Sequence, residues 1–226
     1  MADDTICCIA VLDAREGADK PTLQSAWLSH DPIGALAPGA RYRRSFPLAS
    51  EERGFRLRGT YAIAQIWVDG IGAATELCRA IAGLVIPGAQ QRVMATREVV
   101  VIDGPERRGG EDGVKGWYFS TRKTGMSIAD FQAHWRDVHG PLVVPSPGIS
   151  RYVQFYPCPE TYGGPLHPKY DSLAELTFPD KAAQAEFSVS EHNTVNQRND
   201  LPNLWDMTGG ALRFYLADHD ERAAVG

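Results

Sequence analysis

The sequence predicts an α+β protein made of two ferredoxin-like βαββαβ halves that form an intrachain antiparallel α+β barrel. Three observations lead to this fold: an internal repeat, the order of strand-like and helix-like segments in each copy, and a polar, glycine-rich stretch between the copies. A βαββαβ order with helices on one face of an antiparallel sheet is the ferredoxin-like unit. The other face of each sheet must be covered, and two such sheets can cover each other as a barrel.

The internal repeat appears when "WLSHDPIGALAPGARY" from Trp27 is compared with "WRDVHGPLVVPSPGISRY" from Trp135. Trp, His, Pro, a Pro-Gly pair and an Arg-Tyr pair recur in the same order. "YAIAQIWVD" from Tyr61 then aligns with "DSLAELTFP" from Asp171, and each copy continues with an Ala-rich helical run and a β-like segment. A repeat this long indicates a duplicated domain rather than a solenoid.

Each half is expected to contain strand, helix, strand, strand, helix and strand. In the first half these elements are predicted to begin near Thr5, Pro21, Ala40, Tyr61, Ala73 and Thr96. In the second half they are predicted to begin near Val114, Ser127, Ser150, Ser172, Lys181 and Ala211. We therefore place the halves at 1–104 and 114–226, joined by a polar linker at 105–113.

The composition excludes several classes of protein. Hydrophobic residues make up 43% and charged residues 23% of the chain, which is typical of a globular protein. The net charge of -5 does not favour nucleic acid or an anionic membrane as a partner. The four cysteines form no CxxC pair, and the chain shows neither a signal-peptide pattern nor a long apolar span. We expect a soluble cytoplasmic protein with free thiols.

The stretch "MSIADFQAHWRDVHGP" is predicted to be a helix capped by Ser127 with Asp130 in its first turn. An apolar stripe is expected at helical spacing, formed by Ile128, Phe131, Trp135, Val138 and Leu142. At ~100° per residue, His134 and His139 would lie about 140° apart, on opposite flanks of the stripe. A metal-binding pair needs a shared face, so no metal site is expected.

His139 has two interpretations at this stage. A histidine in the last helical turn favours the negative helix end, with Gly140 as a left-handed cap and Pro141 as the helix stop. The alternative is a catalytic acid or base. The sequence leaves both open.

Strand alternation predicts which side chains point into the barrel. In the second half the inward residues are expected to be Tyr152, Gln154, Tyr156, Leu173, Glu175 and Thr177. In the first half they are expected to be Tyr42, Arg44, Tyr61, Ile63, Gln65 and Trp67. So many polar and aromatic groups favour a ligand cavity, because buried polar groups cost free energy unless they are satisfied. A sheet face that is partly exposed or buried in an oligomer is the alternative.

The motifs "KTGMSIADFQAHWRDVHGPLV" and "PGISRYVQ" resemble the EthD-type family of the dimeric α+β barrel superfamily. "DLPNLWDMTGGALRFYLADHD" is similar to the end of such domains, so the resemblance covers about residues 114–220. It implies a ferredoxin-like barrel without a tightly bound cofactor. It also implies relatives among cyclases, dehydratases and lyases of polyketide and aromatic-compound metabolism, with His139 at the barrel mouth near Tyr152.

The function expected from these patterns is that of a lyase, dehydratase or cyclase that uses no cofactor. Its substrate would be a small aromatic or polyketide-like molecule. His139 would act as general base or acid, Tyr152 would donate to an oxyanion, and Glu175 would carry a proton. The expected substrate-binding residues are His30, Tyr42, Arg44, Gln65, Trp67, Gln154 and Tyr156.

Other functions remain open on sequence grounds. One is a cofactor-free quinol oxygenase, and another is a small-molecule-binding barrel without catalysis. A haem protein is disfavoured because the strand faces assigned as inward carry no histidine. A single chain could close its own barrel, and a homodimer is left open.

Overall fold

The computed structural model describes residues 4–47, 59–105 and 113–208, and the backbone of 212–222. The described residues form two compact units. The first comprises residues within Met1–Glu98, Pro157–Lys169 and Ala217–Gly226, and the second comprises residues within Val99–Tyr156 and Tyr170–Leu216. Most of the predicted linker, residues 106–112, lies outside the described residues, so the domain boundary stays a prediction.

The first unit contains a four-stranded antiparallel sheet in the order β2-β3-β1-β4. Its elements are β1 (Thr5–Ala14), α1 (Lys20–Ser29), β2 (Arg41–Pro47), β3 (Thr60–Asp69), α2 (Ile71–Gly83) and β4 (Ala89–Ile102). α1 begins where the Asp19 carboxylate accepts the backbone N–H of Thr22 at 3.0 Å. α2 buries Ala74, Leu77, Cys78 and Ile81, a spacing that places them on one helical face.

The second unit contains an antiparallel sheet in the order β8-β5-β7-β6. Its strands are β5 (Val114–Ser120), β6 (Arg151–Pro157), β7 (Ser172–Phe178) and β8 (Leu212–Arg222). Its α-helices are α3 (Ile128–His134), α4 (Gly140–Val143), α5 (Lys181–Val189) and α6 (Arg198–Leu204). A π-helical turn at Trp135–His139 joins α3 to α4, and a second π-helical segment at His192–Gln197 precedes α6.

Both units have the predicted βαββαβ order, and the predicted fold class, an antiparallel α+β barrel of ferredoxin-like halves, is confirmed. Eleven of the twelve predicted starts lie within two residues of the observed ones. The exception is β4, which begins at Ala89 rather than near Thr96. Its first residues, "AQQR", are polar but pair with β1, directly after a turn in which Gly88 has a φ of +74°. Among the described helices, none is long and apolar enough to cross a membrane.

The predicted helix cap is confirmed, but the predicted helix end is wrong. Ser127 accepts the N–H of Asp130 at 3.1 Å. Gly140 has a right-handed φ of -55° and donates its N–H to the carbonyl of Trp135, five residues back, so the helix continues to Val143. Pro141 has no N–H to donate, and the π-turn absorbs one extra residue before it.

The extra residue also shifts the buried face of the helix. The sequence predicted Val138 on the apolar stripe, yet Val138 is 45% exposed while His139 is only 3% exposed. One inserted residue turns the following side chains by ~100° about the helix axis. His139 therefore takes the buried position that was predicted for Val138.

The predicted inward placement of several strand residues is wrong. Directly opposed residues on neighbouring antiparallel strands share a face of the sheet. The register opposes Tyr152 to Leu176 and Val153 to Glu175, so Tyr152 and Glu175 lie on opposite faces. The residues Tyr152, Gln154 and Tyr156 therefore lie on the face that also carries Ala174 and Leu176, and this face packs against the helices.

The same correction applies to the first unit. Tyr42 is opposed to Ile66 and Arg44 to Ala64, so both lie on the helix-facing side. Tyr61 also lies there, because the register shifts at Leu12/Asp13 and its ring packs 6.4 Å from that of Trp27. Gln65 and Trp67 do face away from the helices, as predicted.

Candidate active site

The second unit contains a cavity of about 100 Å³ between the helix-facing side of its sheet and the helices. Most of its lining is aromatic or aliphatic. The aromatic side chains are Tyr118, Trp135, Tyr152, Phe187 and Trp205, with the imidazole of His139 among them. The cavity thus combines apolar walls with an imidazole side chain.

His139 is held in this cavity by a carboxylate from a distant part of the chain. Its Nδ1 lies 3.0 Å from Oδ2 of Asp200 in α6. The ring centroid lies 5.0 Å from that of Trp205, with an interplanar angle of 58°. Within the part of the chain that the structure describes, no group hydrogen-bonds to Nε2 of His139. Nε2 is therefore available to a molecule in the cavity.

Asp200 is buried and accepts three hydrogen bonds. Besides the hydrogen bond from His139, its Oδ1 accepts hydrogen bonds from Nε2 of His134 at 2.9 Å and from Nδ2 of Asn203 at 3.4 Å. The hydrogen bond from His139 is the largest cause that lowers the pKa of Asp200 to about 2, against the opposing effect of burial. A carboxylate that accepts from Nδ1–H fixes the tautomer in which Nε2 carries the lone pair.

The π-turn explains how two histidines reach one carboxylate. His134 and His139 were predicted to lie on opposite flanks of a regular helix, and this prediction is wrong. Hydrogen bonds in a π-helix join residues five apart, so residues at that spacing come closer to a common face. The carboxylate separates the two imidazoles, and the described residues include no group of three or more His, Cys, Asp or Glu that could hold a metal ion.

Tyr152 also places a polar group, its hydroxyl, in the lining of the cavity. Its hydroxyl accepts a hydrogen bond from Nε2 of Gln154 at 2.7 Å. The Tyr156 hydroxyl donates to Oε1 of Gln154, which fixes the orientation of the Gln154 side-chain amide. Burial is the main cause that raises the pKa of Tyr152. No described residue accepts a hydrogen bond from this hydroxyl, so its proton is available to a molecule in the cavity.

The structure therefore brings His139 and Tyr152 together and separates Glu175 from them. Glu175 lies on the opposite face of the sheet, where its carboxylate is 3.6 Å from Nζ of Lys115. Both side chains are 2% exposed. Gln154 and Tyr156 contact Tyr152 or each other without lining the cavity.

The remaining predicted site residues belong to the first unit, and none lines this cavity. His30 is exposed after α1. Tyr42 donates to Asp31 at 3.0 Å, and Arg44 donates to the carbonyl of Trp27 at 3.0 Å.

Trp67 donates to Glu98 at 2.5 Å, while the buried amide of Gln65 has no hydrogen-bond partner among the described residues. Their predicted role in substrate binding stays a prediction.

Sequence reasoning missed Asp200, which lies 61 residues from His139. The signal was its place in "RNDLPNLWD", inside the stretch that resembles the end of the family's domains. An acid in that stretch could have been proposed as a partner of His139, but no spacing rule identifies which acid.

Two ferredoxin-like units, one of them with a buried His–Asp pair beside an aromatic cavity, define an α+β barrel protein. Residues 123–207 match the family model of the EthD domain. This match agrees with the resemblance to the EthD-type family that the sequence motifs predicted. A search of curated proteins found no match.

Solved structures with the same fold cover the whole chain. An anthrone oxidase-like protein is 12% identical, with a TM-score of 0.69, over 99% of this chain and 94% of its own. A candidate monooxygenase from Fusobacterium nucleatum is 8% identical, with a TM-score of 0.60, over 100% and 97% of the two chains. A chlorite dismutase from Candidatus Nitrospira defluvii is 4% identical, with a TM-score of 0.53, over 96% and 92%. At these identities the likeness shows the fold alone.

Proposed function

We propose that the second half is a cofactor-independent acid–base enzyme that removes a proton from a small aromatic substrate bound in the cavity. The observation that carries this proposal is the contact between His139 Nδ1 and the Asp200 carboxylate at 3.0 Å. A structural histidine at a helix end would need no buried carboxylate on one nitrogen and no cavity at the ring. The first step would be transfer of a substrate proton to Nε2 of His139.

Asp200 would make this proton transfer easier in two ways. Its pKa of about 2 keeps it ionised throughout the physiological range. The ionised carboxylate holds the Nδ1–H tautomer and stabilises the imidazolium that forms when Nε2 takes a proton. His134 and Asn203 would act as positioning residues, because they fix the other carboxylate oxygen.

Tyr152 would stabilise the negative charge that proton removal leaves on the substrate. Its hydroxyl is buried, and its raised pKa keeps it protonated. A neutral donor held by Gln154 needs no reorganisation when charge develops on a substrate oxygen. The pair would therefore act on a carbon or oxygen acid whose anion is delocalised onto an oxygen.

The cavity volume limits the substrate that can be enclosed. An apolar cavity of about 150 Å³ is known to hold benzene, and this one has about 100 Å³. The cavity is smaller than that benzene-binding one, so at most one ring would enter it, between Trp135, Phe187 and Trp205, with some movement of the lining side chains. Larger substrates would leave their remaining atoms outside the cavity.

The fate of the substrate anion decides the reaction class. Expulsion of a leaving group or attack on an internal carbonyl would make the protein a lyase, dehydratase or cyclase. Reaction of the anion with O₂ would make it an oxygenase, in which a ring methylene becomes a carbonyl and the second oxygen atom leaves as water. The oxygenase is the alternative function, and the likeness to an anthrone oxidase-like protein and a candidate monooxygenase is compatible with it.

The test is a turnover screen with single-ring phenols and aryl ketones, performed with and without O₂ and read by mass spectrometry. The matched variant is His139→Asn, whose amide nitrogen can still donate to Asp200 while the base is lost. We expect conversion by the wild type and none above background by this variant. Equal conversion by both proteins would contradict the proposal, and ligand binding without conversion would support a binding barrel.

A further inference from the structure

We propose that the cavity selects aromatic anions and that Arg198 binds their carboxylate or phenolate group. Among the described residues that line the cavity, Arg198 is the only lysine, arginine, aspartate or glutamate. This inference deepens the proposed function and rests on it for the identity of the cavity as a substrate site. Binding itself is measured without turnover, so the two proposals can fail separately.

The guanidinium of Arg198 has no counterion in the structure as far as it is described. No ion pair or side-chain hydrogen bond joins it to a described residue. By contrast, Arg122, Arg151 and Arg136 of the same unit each pair with an aspartate. Arg198 is exposed as well as cavity-lining, so it stands where the cavity meets solvent. A cation at that position is free to pair with an anionic ligand.

A second observation is independent of Arg198. The indole Nε1 of Trp205 is buried and has no acceptor among the residues that the structure describes. An indole can only donate, and a buried donor without an acceptor costs free energy. Trp205 lines the cavity, and its ring lies against His139. A ligand oxygen in the cavity would supply the missing acceptor.

The two amide side chains of the lining, Gln197 and Asn193, already donate hydrogen bonds within the protein. Gln197 donates to Oγ of Ser146 at 2.8 Å, and Asn193 donates to the carbonyl of Ser188 at 3.1 Å. Arg198 and Trp205 therefore join the Tyr152 hydroxyl as donors for which the described residues supply no acceptor, and both come from α6 and the residue that follows it. No aspartate or glutamate among the described residues lines the cavity to repel an anion. The chemistry that fits is a single aromatic ring with one negatively charged oxygen group.

Isothermal titration calorimetry with benzoate and benzamide tests the inference, since the two differ mainly in charge. The comparison uses wild type, Arg198→Gln and the control Arg136→Gln, whose arginine is exposed, pairs with Asp137 and lines no part of the cavity. We expect the wild type and the control to bind benzoate more tightly than benzamide. We expect Arg198→Gln to weaken benzoate about tenfold, equivalent to ~1.4 kcal/mol, with little effect on benzamide.

Equal affinity of the wild type for both ligands, or unchanged benzoate affinity in Arg198→Gln, would overturn the inference. So would the absence of saturable benzoate binding by the wild type. His139→Asn is measured in parallel because it lacks the proposed base but keeps Arg198. If it prefers benzoate as the wild type does, then anion selection holds even where catalysis fails.

Discussion

Nδ1 of His139 and Oδ2 of Asp200 lie 3.0 Å apart, both side chains being buried beside an aromatic cavity. The same carboxylate receives His134 on its other oxygen at 2.9 Å. A π-turn before Pro141 makes this arrangement, since it rotates His139 to the buried side of the helix. The site thus depends on local backbone geometry as much as on residue identity.

Replacing Asp200 with asparagine should abolish the basicity of Nε2 without removing the histidine. In the wild type a carboxylate oxygen of Asp200 accepts from Nδ1–H of His139. In the variant the asparagine Nδ2 can donate to Nδ1 instead, which moves the proton of the neutral imidazole to Nε2. We expect kcat to fall by about 10²–10⁴-fold, the typical contribution of general base catalysis. The control is Asp137→Asn, an exposed acid outside the cavity, which should keep wild-type turnover. Retention of full activity in Asp200→Asn would show that the pair is structural.

Asp200 should also make the protein acid-sensitive. Its folded pKa of about 2 is below the usual value of 3.8, so its contribution to stability is fully present above pH ~4 and is lost as pH falls towards 2. The contribution is on the order of 2 kcal/mol. Urea unfolding between pH 5 and 2 should show the wild type losing stability relative to Asp200→Asn. Parallel curves for the two proteins would contradict the assigned pKa.

Tyr152→Phe should lower turnover less than loss of the base does. Removal of one oxyanion donor typically costs about 10²–10³-fold, and the loss here should fall at or below the lower end of that range. The variant also removes the nearer of the two acceptors of Gln154 Nε2, at a cost of ~1–3 kcal/mol. Tyr156→Phe is the control, because Tyr156 belongs to the same network but does not line the cavity. A larger loss from Tyr156→Phe would contradict the role given to Tyr152.

Glu175→Gln tests whether the sheet face that carries Glu175 takes part in catalysis. Glu175 lies opposite Val153, on the face away from His139, and pairs with buried Lys115. We expect destabilisation by up to about 3–5 kcal/mol, because the buried Lys115 ammonium loses the charge of this carboxylate, with kcat unchanged in the folded fraction. The double variant Lys115→Met, Glu175→Gln should recover part of the stability. A loss of kcat without a loss of stability would restore Glu175 as a catalytic residue.

The features that the sequence predicted correctly depend on neighbours along the chain. The cap of Ser127 on Asp130 results from local chemistry. The order of elements results from periodicity and from the repeat. These signals are complete within short windows, so a single sequence carries them.

The features that it predicted wrongly depend on contacts between distant segments. Alternation divides β6 into two faces, but only the register with β7 shows that Tyr152 shares a face with Leu176 rather than with Glu175. The π-turn adds one residue to a helix whose stripe fits a regular spacing nearly as well. The pairing of Asp200 with His139 needs the folded chain.

The central claim is that His139, held by Asp200, removes a proton from an aromatic substrate. The most direct measurement is deuterium incorporation into phenylpyruvate in D₂O, monitored by NMR without O₂. Phenylpyruvate is a single-ring anion with an acidic methylene, and exchange reports proton removal independently of any later step. The account predicts exchange above the buffer rate for the wild type and a ~10²–10⁴-fold slower catalysed rate for His139→Asn. Equal exchange by the two proteins, or none by wild type that binds phenylpyruvate, would contradict it.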